Sequence, residues 1–125
     1  MGYMDISILG SDRASDMTLD IIGSIAKHLK KTLREGSNEY NTSGGVNVAL
    51  FFEEVILPAI HVFEYDERLF EVAKKCQENL QIEIEDSEDS DLWEDEENRM
   101  MHYRKYVKLY KVLDEFIAAH NSFLS

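Results

Sequence analysis

The sequence predicts a mainly α fold, a single domain of four or five helices around a central apolar helix at about residues 46–63. Three observations carry this expectation. Apolar residues recur at spacings of three and four over three stretches, which places them on one face of a helix. A fourth stretch is apolar on nearly every face, as a helix surrounded by others is. The chain has 125 residues, enough for one core and few for two.

The elements follow in order. Residues 3–9 alternate, with Met4, Ile6 and Ile8 on one side, and residues 81–85 (Gln-Ile-Glu-Ile-Glu) are the other alternating stretch. A lone strand cannot satisfy its own backbone, so the two could pair as a short two-stranded element. Ser11 or Ser15 is placed to cap the first helix, with Asp12 and Asp16 in the first turn. Met17, Ile21, Ile25, Leu29 and Leu33 then recur every four residues, joined by Ile22 and Ala26. Lys27, Lys30, Lys31 and Arg34 suit the negative end of that helix, and Gly36 is its stop. Residues 37–45 have loop composition. Their Ser43-Gly44-Gly45 end lacks the Gly-Lys-Ser/Thr of a phosphate loop and reads as a flexible turn.

The central helix, 46–63, contains Pro58, which should kink or break it. Tyr65 and Asp66 open a third helix with Leu69, Val72, Ala73, Cys76 and Leu80 inward. The last helix, capped by Ser90 or Asp91, carries Trp93, Met100, Tyr103, Val107, Tyr110, Leu113 and Ile117 on one face.

Charge is distributed unevenly. The net charge is −12, yet residues 83–97 hold ten carboxylates and no basic side chain. Outside this strip 15 acidic residues face 13 basic ones. A hydrophobic fraction of 44% and a charged fraction of 30% describe a soluble globular domain. The single cysteine cannot form an internal disulfide and fits a small core residue. No basic-then-apolar leader opens the chain, and 46–63 is interrupted by Asn47, Glu53, Glu54, Pro58 and His61. A cytoplasmic protein without a membrane span is expected.

No catalytic or metal-binding constellation stands out. His28, His61, His102 and His120 lack the His-Glu-x-x-His or Glu-x-x-His spacing of zinc and di-metal sites. Residues 86–91 offer oxygen ligands but neither the central Gly nor the terminal Glu of an EF-hand loop. No catalytic residue, metal ligand or cofactor is therefore assigned. The strip itself is the candidate site, through Glu88, Asp89, Asp91, Trp93, Glu94, Asp95 and Glu96. A dense anionic segment steers basic surfaces, and an aromatic ring among carboxylates has the make-up of an interface anchor with a charged rim. The basic residues are too few against the overall charge for direct nucleic-acid binding. They could receive the strip within the fold or across a homodimer.

Met1-Gly2-Tyr3, followed by Ser11-Asp12-Arg13-Ala14-Ser15-Asp16 and an apolar helix, resembles the start of an uncharacterised family of small bacterial and phage proteins. Members begin Met-Gly-x-Trp-Gly and then show an Asp-x-Ala-x-Asp-like element. Here Met4 and Asp5 stand where Trp and Gly would be. The resemblance implies a small, mostly helical domain and no established activity. The functional expectation is a small acidic protein-binding protein, an immunity or inhibitor protein engaging a basic partner. The alternatives are a DNA-mimic antagonist of a nucleic-acid-binding protein and a small metal-dependent protein.

Overall fold

The computed structural model describes residues 12–35, 44–89 and 93–124. Within them the chain is a helical bundle: α1 (Asp12–Glu35), α2 (Gly44–Phe51), a π turn (Phe52–Ile56), a 3-10 turn (Leu57–Ala59), α3 (Ile60–Phe63), α4 (Glu67–Glu88) and α5 (Glu96–Leu124). There is no strand among the described residues. The expected partner at 3–9 lies outside them, and 81–85 form part of α4. The reason is visible in two side chains. Ile84 is 7% exposed and continues the helical series Leu69, Val72, Ala73, Cys76, Leu80, whereas Ile82 is 57% exposed. Five residues were too few to separate a period of 2 from 3.6.

α1 buries Ile22, Ala26, Leu29 and Leu33 and leaves Met17 and Ile21 exposed. The buried stripe is thus rotated from the expected every-fourth series, because a 3.6-residue period drifts off a strict spacing of four. The helix runs through Ser15, which excludes that residue as its cap, while Ser11 and Gly36 lie outside the described residues. α1 lies alongside α4 in the same direction: Arg68 reaches the Leu19 carbonyl at 3.3 Å, and Lys30 and Arg34 lie beside Lys75 and Asn79. Gly23 leaves the space for the Arg68 guanidinium, whose Nη1 lies 2.5 Å from where a Cβ would be.

α2 starts two residues before the expected boundary. Gly44 and Gly45 are buried in its first turn and do not form a flexible turn. A Cβ on Gly45 would come 3.2 Å from the Asn79 Cβ, so this glycine lets α2 approach α4 closely. The buried Cys76 thiol donates to the Gly45 carbonyl at 3.1 Å. Burial pushes its pKa up to about 12.

Pro58 has the predicted effect in a specific form. Its ring removes one donor and crowds the carbonyl four residues back, so regular α geometry cannot pass through it. The helix widens to a π turn before the proline, with the Leu57 N–H on the Phe52 carbonyl, and tightens to 3-10 geometry at it. The wide turn keeps Phe52 and Ile56 on the core side. Phe52 meets Phe116 of α5 edge to face, with centroids 5.1 Å apart and planes at 77°. This stretch is not enclosed on all faces as expected: Asn47, Glu54, Pro58 and His61 are exposed and Val55 is 42% exposed. By length and mean hydropathy (1.7) alone, Gly44–Phe63 is apolar enough to cross a membrane, a test that the core helix of a folded domain also passes. Val48, Ala49, Phe52 and Ile56 of this stretch form the middle of the core.

α4 and α5 form an antiparallel hairpin with the most extensive interface in the bundle. Asp66 caps α4 by accepting from the Leu69 N–H at 3.1 Å, and Arg68 holds that carboxylate at 2.8 Å. Gln77 donates to the Tyr110 carbonyl and to Asp114, at 3.2 and 2.6 Å. His120 is buried, stacks on Phe70 and donates from Nδ1 to the Glu64 carbonyl at 2.7 Å. The inner face of α5 is Leu109, Val112, Leu113, Phe116 and His120. Only Leu113 of the expected stripe is fully inside. The apolar and aromatic residues of α5 occupy two adjacent stripes, and contact with Phe52 selects the one containing Phe116.

Replacing Phe52 with Ala should lower stability by about 3–5 kcal/mol in denaturant unfolding, through lost transfer energy and a cavity at the three-helix contact. Cys76 should resist thiol reagents in the native protein and react at once in denaturant.

Candidate functional site

The acidic strip divides between the end of α4 and the start of α5, and the two halves have opposite electrostatic character. The peptide dipoles of a helix leave partial positive charge at its N-terminus and partial negative charge at its C-terminus. Asp95 caps α5, its Oδ1 accepting from the Glu97 and Asn98 N–H groups at 3.0 and 3.4 Å, and Glu96 and Glu97 occupy the first turn. Helix-end chemistry accounts for these carboxylates. The cap is not Ser90 or Asp91, both outside the described residues, because α5 begins at Glu96.

Glu83, Glu85, Asp86 and Glu88 lie instead in the last two turns of α4, with Asp89 at its C-cap and no basic residue in the last turn. Here the dipole and the mutual repulsion both oppose the charge. At the exposed positions each carboxylate costs about 0.3–1 kcal/mol at low ionic strength.

Two side chains, one at the start of α5 and one just before it, hold this helix end together. The last carbonyls of a helix have no partner within it. Trp93 Nε1 donates to the Asp86 carbonyl at 3.1 Å, and Arg99 Nη1 donates to the Ser87 carbonyl at 2.7 Å. The Ser87 hydroxyl, fully buried, donates to the Glu83 carbonyl at 2.8 Å. Arg99 is 14% exposed and also pairs with Glu96, which holds the Glu96 carboxyl below the usual range. The Trp93 ring packs on His102, centroids 5.0 Å apart, and His102 donates from Nδ1 to the Asn98 carbonyl at 2.8 Å. Trp93 therefore precedes α5 and is not part of its stripe. Its polar edge faces the end of α4 as a cap, and the ring is half-buried. Burial and the charge of Glu83 raise the pKa of the nearby Tyr106 phenol.

Of the predicted site residues, Glu88, Asp89, Glu94, Asp95 and Glu96 are exposed around this corner, and Asp91 lies outside the described residues. A groove of about 930 Å³ opens along the first turns of α5, lined by Asp95, Glu96 and Glu97 together with Met100, Met101 and Arg104. Met101 is 61% exposed. Thioether side chains adapt to varied apolar shapes, so the groove combines pliable apolar side chains with carboxylates. The sequence did not assign Arg99, Ser87, Met100 or Met101 to the site, and placed Met100 on the inner stripe of the last helix. The one available signal was the Glu96–Arg99 spacing of three, which brings the two side chains together on a helix. Among the described residues no three His, Cys, Asp or Glu are grouped to hold a metal ion.

Replacing Asp86 with Asn and Glu88 with Gln should raise the melting temperature, and added salt should shrink the gain. Because the folded-state pKa of Glu96 is depressed, its contribution is present above the unfolded value and is lost as pH falls through the folded one. The stability difference between wild type and Glu96→Gln should therefore shrink as pH falls below about 4.3, the ordinary glutamate value, and vanish once pH is below the folded-state one. Trp93, the only tryptophan, reports both transitions by its fluorescence. Comparison of the chain with family models, with curated proteins and with solved structures finds no match, so the site rests on its own chemistry.

Proposed function

We propose that the chain is a small acidic protein-binding protein that docks a basic surface of another protein on the corner between α4 and α5. One observation carries this reading: carboxylates crowd the end of α4 where the helix dipole disfavours them, with no basic residue in the last turn. Positions where a sequence departs from its own local rules are concentrated at functional sites. A basic partner would reverse the penalty, since its cations would meet both the carboxylates and the negative helix end.

The contact surface comprises Glu88, Asp89, Asp91, Trp93, Glu94, Asp95 and Glu96, with Met100 and Met101 offering the apolar part. Partners of this type include a toxin, a nuclease or another enzyme with a cationic active face, and the chain would serve as its immunity or inhibitor protein. Occlusion of that face would be enough to inhibit, which requires no catalytic group here. Such a role fits a cytoplasmic location.

Substituting Asn for Asp89, Asp91 and Asp95 and Gln for Glu96 should abolish capture of the partner from host lysate. Capture by the wild type should weaken steeply with salt. Mass spectrometry would identify the partner, and inhibition of its activity by the purified chain would establish the role. Undiminished capture by the fourfold variant would remove the corner as the site. Competition by duplex DNA for the same partner would mark the target as a nucleic-acid-binding protein.

A further inference from the structure

Two adjoining grooves beside α1 are lined largely by cations. The larger, about 450 Å³, is lined by Lys30, Leu33 and Arg34 of α1 and by Lys75, Glu78 and Asn79 of α4. The smaller, about 260 Å³, has Lys27, His28, Lys31 and again Arg34 in its lining, so Arg34 borders both. The helix dipole does not account for this cluster. Its pull on cations is confined to the last turn, whose basic residue in α1 is Arg34. Lys27 and Lys30 stand before that turn, and Lys75 is in the interior of α4. None of Lys27, Lys30 and Lys75 makes an ion pair with a described residue, and Lys31 pairs with Glu35 at 3.9 Å.

We propose that these grooves bind a ligand carrying two or more adjacent phosphate groups. Local charge sets the class. Lys30, Arg34 and Lys75 bring three positive charges to the larger groove and Glu78 one negative, a net of +2. A phosphate monoester, with a charge of about −1.5 to −2 at pH 7, matches that excess, and a singly charged carboxylate does not. Arg34, with Lys27 and Lys31 on its other side, provides for a second phosphate next to the first. Lysine ammonium groups serve phosphate as point charges, and the Asn79 amide adds N–H donors. The acidic corner does not cancel this field. Asp86 follows Lys75 by 11 residues, about 16 Å along α4, or about two Debye lengths at physiological salt. Adjacent phosphates are common to soluble polyphosphorylated molecules and to doubly phosphorylated lipid headgroups. The inference does not depend on what the acidic corner binds.

Calorimetric titration of the full chain with inorganic tripolyphosphate at about 0.01 M salt tests the site. Tripolyphosphate should bind about tenfold or more tighter than inorganic phosphate, through its additional charge-assisted contacts. Replacing Lys30 and Lys75 together with Gln should weaken binding by about tenfold or more. Both side chains are exposed, so the far-UV circular dichroism spectrum should not change. Glu78→Gln, which removes the carboxylate from the larger groove, should tighten binding. Lys105→Gln combined with Lys111→Gln removes the same charge from α5 and should leave the affinity nearly unchanged. No detectable binding of tripolyphosphate, an affinity no better than that of inorganic phosphate, or equal losses in the two double variants overturns the proposal. Phosphatidylcholine vesicles containing a phosphatidylinositol bisphosphate then assign the source. Co-sedimentation that tripolyphosphate reverses marks a lipid headgroup, and tripolyphosphate binding without co-sedimentation marks a soluble ligand.

Discussion

The end of α4 is the constraint around which the rest of the molecule is arranged. Its last carbonyls need donors, and apart from Ser87 the side chains of its last turn are carboxylates, which can only accept. The donors come from across the turn, from the Trp93 indole and the Arg99 guanidinium. Those two bonds tie the end of α4 to the start of α5 and close the α4–α5 hairpin, whose inner face carries much of the core.

At the other side of the core the corresponding constraint is steric. Pro58 prevents regular helix between α2 and α3, and the π and 3-10 turns around it absorb the mismatch. Because the wider turn keeps Phe52 and Ile56 facing inward, the irregular backbone does not cost the core its largest contact. Phe52 on Phe116 links the broken helix to α5, while Gly45 allows the same helix to approach Asn79 and Leu80 of α4. The most apolar stretch of the chain thus touches all three long helices.

The two halves of the acidic strip now have different explanations. Asp95, Glu96 and Glu97 serve α5 as its cap and first turn. Glu85, Asp86 and Glu88 weaken the helix that bears them, and Trp93 and Arg99 offset that loss locally. An acidic stretch that requires two dedicated caps is an expensive way to achieve solubility. The proposed docking surface would account for it, with a partner whose positive charge matches the negative helix end.

The sequence alone determined the helical class, the three long amphipathic helices, the break at Pro58, the inward placement of Leu69, Val72, Ala73, Cys76 and Leu80, and the concentration of charge. These follow from local rules of period, propensity and ring geometry, which act over a few residues. Only the tertiary structure decided which of two stripes on α5 faces inward, that residues 81–85 continue α4, and that Trp93 caps that helix before α5 begins. Each depends on a contact between segments distant in sequence: Phe116 with Phe52, Ile84 with the bundle interior, and Arg99 with Ser87 across the turn. The division of the strip into a favoured and a disfavoured half is of this second kind. Charge can be counted in a sequence, but the sign of its energy depends on which end of which helix it occupies.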